Sequence, residues 1–435
     1  MNVLNFKVIF MRDFVKIISL FLALILLLFS VSCGSENDKN NETQTSQKVY
    51  NTAFKTATTV KPNPTTSVTE TTTGEVVFET LPTTKKRNGN RKVYEQINDM
   101  RKITSAQLLT QIYAGITLGD SFNSRGLGYG KSVREYETYF GNPVVSRMLI
   151  ESYSKAGFNA VRIPVSWSDH FDENGNIDPN WLDRIAQVVD CVLDYGMYCI
   201  INSQNDQNWL TTNPKNFDET KEKFSSMWTQ IANRFIDYND HLIFEGSAEL
   251  LKAENDKSEP SKTDLKNANI LNQTFVDAVR LTGKNNKSRH LIVSTYGAFV
   301  SSGALNGFTT PVDTAKNRLI AKVNIYVPSS FCLDESKDNI WGSKEDKSYI
   351  ESVFAMINLR FSELKLPAII GEFGAVDKGN VTARAAYANC FASTAYNYYI
   401  VCFWNDNGKN MKLFDRYSYE NLQPNIVNSI ISAVK

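Results

Sequence analysis

Ala160-Val161-Arg162-Ile163-Pro164-Val165-Ser166-Trp167 is the stretch whose reading decides the fold. A short apolar run carries one charge, is stopped by proline and passes into polar and aromatic residues. The run is too short for a helix, and Pro164 closes it, so it reads as a buried strand. Runs of the same kind recur at 113–118, 197–201, 241–244, 291–295, 320–325, 366–370 and 399–403. Longer amphipathic stretches separate most of them, at 181–195, 222–238, 270–282, 347–365, 383–395 and 424–434. This alternation of strand and helix predicts an α/β fold, a (β/α)8 TIM barrel, over 95–435. In such a barrel the chemistry sits past the C-terminal ends of the strands. Two inserted stretches, 252–266 and 333–347, read as rim loops.

The chain has 435 residues, enough for one large domain or two medium ones. Lys+Arg 47 against Asp+Glu 46 leaves a net charge of +1, so no global field draws it to nucleic acid. Residues 1–33 read as an export signal. Lys7, Arg12 and Lys16 precede an apolar run at 17–32 that ends at Cys33. Val31-Ser32-Cys33 resembles a bacterial lipobox, which makes Cys33 the expected lipidation site. A plain cleaved signal and a retained anchor are the alternatives, and all three place the body outside the cytoplasm. Residues 34–94 are rich in Thr, Ser and Asn and read as a flexible tether that cannot bury enough surface to fold. All six Trp lie beyond residue 160, in the folded part. The five remaining Cys cannot all pair within one chain, and with Cys191, Cys199, Cys390 and Cys402 in apolar stretches they read as buried free thiols. Three His among 435 residues direct attention to carboxylates as the chemical groups.

Two carboxylates, Glu249 and Glu372, follow strands four and seven, across the barrel mouth from each other. Such a pair can flank a glycosidic bond, one protonating the leaving oxygen while the other attacks the anomeric carbon. Tyr326 is placed to hydrogen-bond the attacking carboxylate, and Arg162 to keep a carboxylate ionised. Trp209, Trp341 and Trp404 are candidates for stacking on sugar faces. Each residue also has a plainer role open to it. A Glu at a strand end also serves as a cap, a lone Trp as core, and an Arg in a strand as partner to a structural acid. The joint pattern carries the reading.

The body resembles the bacterial endoglucanases of glycoside hydrolase family 5, in particular the rumen-type branch. The resemblance lies in 156–167, in Asp240-His241-Leu242-Ile243-Phe244-Glu245-Gly246, in 272–280, in Ile369-Ile370-Gly371-Glu372-Phe373-Gly374-Ala375 and in Leu413-Phe414-Asp415-Arg416. It implies a (β/α)8 barrel and retaining hydrolysis of β-glucan through two Glu, with no cofactor or metal. By position, Glu249 matches the family's acid/base and Glu372 its nucleophile, and Arg162, Tyr326 and Trp404 match site residues. Gln204, Asn205, Trp209 and Asn324 complete the expected substrate-binding set. The expected partners are a plant cell-wall β-glucan and, through the anchor, a membrane. No nucleic acid is expected, and the expected state is a monomer.

The chain departs from the family pattern at four places. Gln204-Asn205-Asp206 stands for His-His-Asp, Ala248-Glu249-Leu250 for Asn-Glu-Pro, Asn324-Ile325-Tyr326 for His-x-Tyr, and Gly115-Ile116-Thr117-Leu118-Gly119-Asp120 for the opening Gly-Trp-Asn-Leu-Gly-Asn. The family Asn before the acid/base holds the sugar 2-OH, a contact that tightens in the transition state, and Ala248 cannot make it. One such contact, about 2–4 kcal/mol, is about 30- to 1000-fold in rate. The expectation is therefore a hydrolase of reduced or altered activity. The alternative is a non-catalytic, glycan-binding surface lipoprotein built on the same fold.

Overall fold

A computed structural model describes residues 100–434 apart from 213 and 338. The export signal, Cys33 and the tether as far as residue 94 lie outside the described residues. Eight parallel strands close into a barrel in chain order: β1 (Gly115–Leu118), β2 (Ala160–Ile163), β3 (Tyr198–Asn202), β4 (Leu242–Glu245), β5 (Leu291–Ser294), β6 (Leu319–Asn324), β7 (Ala368–Phe373) and β8 (Val401–Asp406). β1 pairs with β8 through Gly115 opposite Phe403 and Thr117 opposite Asn405, which seals the cylinder. The expected (β/α)8 architecture is thus present.

Strand alternation sorts side chains between two cores. Ala160, Tyr198, Ile200, Ile243, Ile292, Ile320, Ile369, Val401 and Phe403 point inward and fill the barrel's lower interior. Gly115 is required here, because a Cβ on it would lie 2.3 Å from the Phe403 ring. The intervening residues, such as Val161, Phe244, Val293, Ile370 and Trp404, point outward into the larger core beneath the helices.

The helix α1 (Ser105–Leu109) plugs the bottom of the barrel, where Leu108, Leu109 and Ile112 join the interior core. The following helices form the outer ring: α2 (Arg147–Ala156), α3 (Pro179–Asp194), α4 (Phe217–Arg234), α5 (Lys262–Leu281), α6 (Ser302–Gly307), α7 (Lys344–Glu363), α8 (Val381–Asn397) and α9 (Pro424–Ala433). The expected rim loops at 252–266 and 333–347 are shorter than the sequence suggested. Ser261 and Asp264 form a capping box that starts α5, and Ser343 and Asp346 form another that starts α7. Each box satisfies otherwise orphaned N–H groups and so nucleates the helix earlier than its apolar face begins.

The plug is locked by His290. Arg318 lies 2.7 Å from His290 Nε2 and can only donate, so Nε2 accepts and Nδ1–H donates to Ser105 Oγ at 2.8 Å. His170 stacks on Trp181 with ring centroids 4.0 Å apart. Burial pushes both imidazoles down to about 3, with Arg318 adding to the effect at His290. The five described cysteines are free thiols, all buried except Cys390, which is half-buried.

These two histidines fix a pH dependence. Each is neutral when folded and titrates near 6.5 when unfolded, so the unfolded chain binds more protons below 6.5. Their stabilising effect is complete above pH 6.5 and is lost progressively as pH falls toward 3, at about 1.4 kcal/mol per pH unit for each group. Urea midpoints measured from pH 7 to pH 5 are expected to fall, and His170→Phe to remove about half of that slope.

Candidate active site

Above the apolar interior, inward positions become polar, and four of them carry charge. Arg162 on β2 is fully buried and spans two carboxylates. Its Nε and Nη2 donate to Glu245 at 2.6 and 2.8 Å, and its Nη1 donates to Glu372 at 2.9 Å. Lys322 on β6, also fully buried, donates to Glu245 at 2.9 Å and to the Ala248 carbonyl at 2.5 Å. Asn202 on β3 adds a contact of 3.3 Å to Glu245. Burial opposes the charge on Glu245, but Arg162 and Lys322 outweigh it and hold the carboxyl at about 2. Glu245 is therefore a fixed anion at the floor of the mouth.

Glu372 reaches the mouth through an irregularity. Ile369 faces inward and Ile370 outward, so strict alternation would turn Glu372 outward. The ladders shift register at 323/324 on β6 and between 370 and 373 on β7, bringing Asn324 opposite Glu372. Such a bulge re-aims a side chain beside an active site. One Glu372 oxygen then accepts from Arg162, and the other from the Tyr326 hydroxyl at 3.1 Å. Asn405 on β8 donates to the Tyr326 oxygen at 2.9 Å, which leaves the phenolic proton aimed at Glu372.

Glu249 lies just past β4. Among the described residues its carboxyl has no hydrogen-bond partner. Burial raises its pKa, and the Glu372 charge adds to the rise, against the opposing pull of Lys257, Lys322 and Arg162. Ala248 is buried and held at both ends, its N–H donating to the Ser203 carbonyl at 2.8 Å and its own carbonyl gripped by Lys322. Asp206 ties the loop after β3 to the one after β2. It accepts from Ser203, Ser166 and Ser168 side chains and from the Trp167 and Ser168 N–H groups.

The structure thus brings Arg162, Glu372 and Tyr326 together and sets Glu249 near enough to feel the charges of Arg162 and Glu372. Gln204 and Asn324 each keep one buried oxygen unpartnered, while Asn205 donates to the Asn123 carbonyl. Trp404 is corrected. It is 0% exposed, packs edge-on against Phe373 and donates its indole N–H to the Met411 carbonyl, so it belongs to the outer core and offers no face to a sugar. Its neighbour Asn405 has the inward position. Trp341 is likewise buried, against Phe331 and Tyr387. Trp209 is half-buried at the rim; its indole N–H donates to Ser168, and the Lys223 ammonium lies 4.5 Å from its ring. Sequence reasoning missed Asn405, Lys322 and the part played by Glu245. The signal for them was parity, since Ile320, Lys322 and Asn324 share one face of β6, as Phe403 and Asn405 do on β8.

With this geometry in view, the comparisons with known proteins give the family. The profile of Cellulase (glycosyl hydrolase family 5) matches residues 123–410. The chain is 35% identical over 326 residues to Cellulase/esterase CelE of Acetivibrio thermocellus, covering 74% of this chain and 38% of that protein. It is 32% identical to Endoglucanase A of Paenibacillus barcinonensis, covering 78% of this chain and 92% of that one. Among solved structures, a broad-specificity endoglucanase from Ruminococcus champanellensis with bound cellotriose superposes with a TM-score of 0.74 at 34% identity, over 76% of this chain and 99% of its own. The chain belongs to the cellulase family, glycosyl hydrolase family 5.

Arg162 is the residue whose loss the site tolerates least. Arg162→Gln leaves two carboxylates short of their buried partner, and removing one member of such a set costs about 3–5 kcal/mol. An unfolding free energy from urea denaturation lowered by that amount is the expected result, and one equal to the parent's would contradict the arrangement.

Proposed function

We propose that this chain is a retaining β-glycoside hydrolase, endo-β-1,4-glucanase-like in its action on plant cell-wall β-glucan. The observation that carries the reading is the difference between two carboxylates in one mouth. Glu372 accepts from Arg162 and Tyr326, donors suited to an anion, whereas Glu249 has no such donors and is biased toward its protonated form. Environments that separate two carboxyl groups in this way assign base and acid roles. In the first step Glu372 attacks the anomeric carbon and the glycosidic bond breaks. The Glu249 proton goes to the departing oxygen, giving a glycosyl-enzyme. In the second step Glu249 takes a proton from water, the water oxygen bonds to the anomeric carbon, and Glu372 is released. The relatives named above as endoglucanases support this substrate class.

A specific observation favours a second reading, that of a glycan-binding protein without turnover. Ala248 offers a sugar no side-chain hydrogen bond, and the amides of Gln204 and Asn324 can hydrogen-bond but cannot titrate or carry charge. Reduced activity lies between the two readings.

One set of assays separates them. Glu372→Ala is expected to abolish turnover of both a soluble β-glucan and an activated aryl β-glycoside. Glu249→Gln is expected to lower kcat/KM on β-glucan by about 10²- to 10⁴-fold, and by less on the aryl glycoside, whose leaving group needs little protonation. Glycan binding by the unmodified protein with no turnover at high concentration would establish the second reading instead.

The sequence also supports export and tethering at the bacterial surface through a lipid on Cys33, followed by 34–94. In cells, labelled palmitate is expected to enter the protein and to be absent from Cys33→Ala, with the unmodified protein accessible to external protease.

A further inference from the structure

Lys322 is a charged residue buried inside a barrel whose lower interior is otherwise apolar. Its contacts fall on the residues that immediately precede both candidate catalytic carboxylates. The ammonium donates to the carbonyl of Ala248, one residue before Glu249, and its remaining visible partner is Glu245. The stem runs beneath Gly371, one residue before Glu372; a Cβ on Gly371 would lie 2.7 Å from Lys322 Cε and 3.0 Å from Asn324 Oδ1. Thr117 on β1 fixes that same residue from the other side, donating to the Gly371 carbonyl at 3.1 Å. The absence of a side chain at 371 is thus the space that the lysine occupies.

We propose that Lys322 is a positioning residue that sets the placement and the charge environment of Glu249 relative to Glu372. The inference rests on the hydrolase reading for its catalytic meaning, but its physical content does not depend on turnover. Two effects act together. The hydrogen bond to the Ala248 carbonyl fixes the backbone from which Glu249 projects, and errors of about 1 Å in such placement cost about 100-fold in rate. The ammonium also places a positive charge under the mouth, which favours the ionised form of Glu249. Glu249 is faced by Lys257 from its own loop, Lys322 from β6, Glu372 from β7 and Arg162 from β2. Lys322 in turn faces Glu245, Arg162 and Glu372. Removing the lysine leaves Glu249 with one cation fewer, so its proton is held more tightly and the basic limb of a pH profile moves to higher pH.

The test uses Lys322→Met in the full folded domain with its N-terminal segment. Glutamate labelled with ¹³C at the side-chain carboxyl reports each titration by NMR, and the Glu249 signal is assigned by its loss in Glu249→Gln. The expected result is an apparent pKa for Glu249 raised by about half a unit or more. On β-glucan, kcat is expected to fall about 10- to 100-fold with a smaller change in KM, the basic limb shifting in the same direction as the NMR titration. A Glu249 titration identical to the parent's overturns the inference. If Lys322→Met does not fold, Gly371→Ala displaces the lysine stem while keeping its charge, and an unmoved Glu249 titration there overturns it equally. A shifted titration without turnover in any form of the protein supports the role of Lys322 and instead removes the hydrolase reading.

Discussion

The upper half of the barrel depends on a single guanidinium. Arg162 lies fully buried and joins Glu245 to Glu372 across the barrel interior. Isolated charges are not stable in such a place; they persist only when paired and hydrogen-bonded throughout. Once Arg162 is there, Glu245 must be ionised to meet it, and Glu372 must be turned inward against the alternation of its strand. Lys322 adds a second cation, so two positive and two negative groups balance within the mouth. The register shifts on β6 and β7 are the backbone's accommodation to that balance.

The same balance separates the two candidate catalytic carboxylates. Glu372 shares the arginine and gains a tyrosine hydroxyl that Asn405 holds in line. Glu249 has no comparable donors and lies where burial acts against its charge. The upward shift at Glu249 thus arises from its buried place just past β4 and from the Glu372 charge, with no histidine involved. His170, His241 and His290 all serve elsewhere, in a stacked loop contact, against Tyr198 and in the plug.

The sequence made the barrel legible because its strands are short, apolar and bounded by turns. It made both glutamates and Arg162 legible because strand ends are few and charged residues there stand out. The ends themselves were less clear. β7 and β8 run on through Phe373 and Asp406, since polar residues at the mouth still pair in the ladder although they end the hydropathy signal. Trp404 shows the cost of reading composition without parity: moved by one position in a strand, an aromatic side chain leaves the mouth for the outer core, and Asn405 takes its place. Lys322 was illegible for a related reason. A lysine amid Ile320, Val323 and Ile325 looks like an interruption until its partner on β4 is known, and only the fold supplies that partner.

The plug at the bottom of the barrel also has a consequence for how the molecule meets its surroundings. Arg101 pairs with Asp240 just ahead of β4, and Ser105 bonds to the Asn317 carbonyl just ahead of β6, so the chain enters the domain at the pole farthest from Glu249 and Glu372. The open end lies at the opposite pole, so the first described residues close the floor of the barrel and take no part in its mouth.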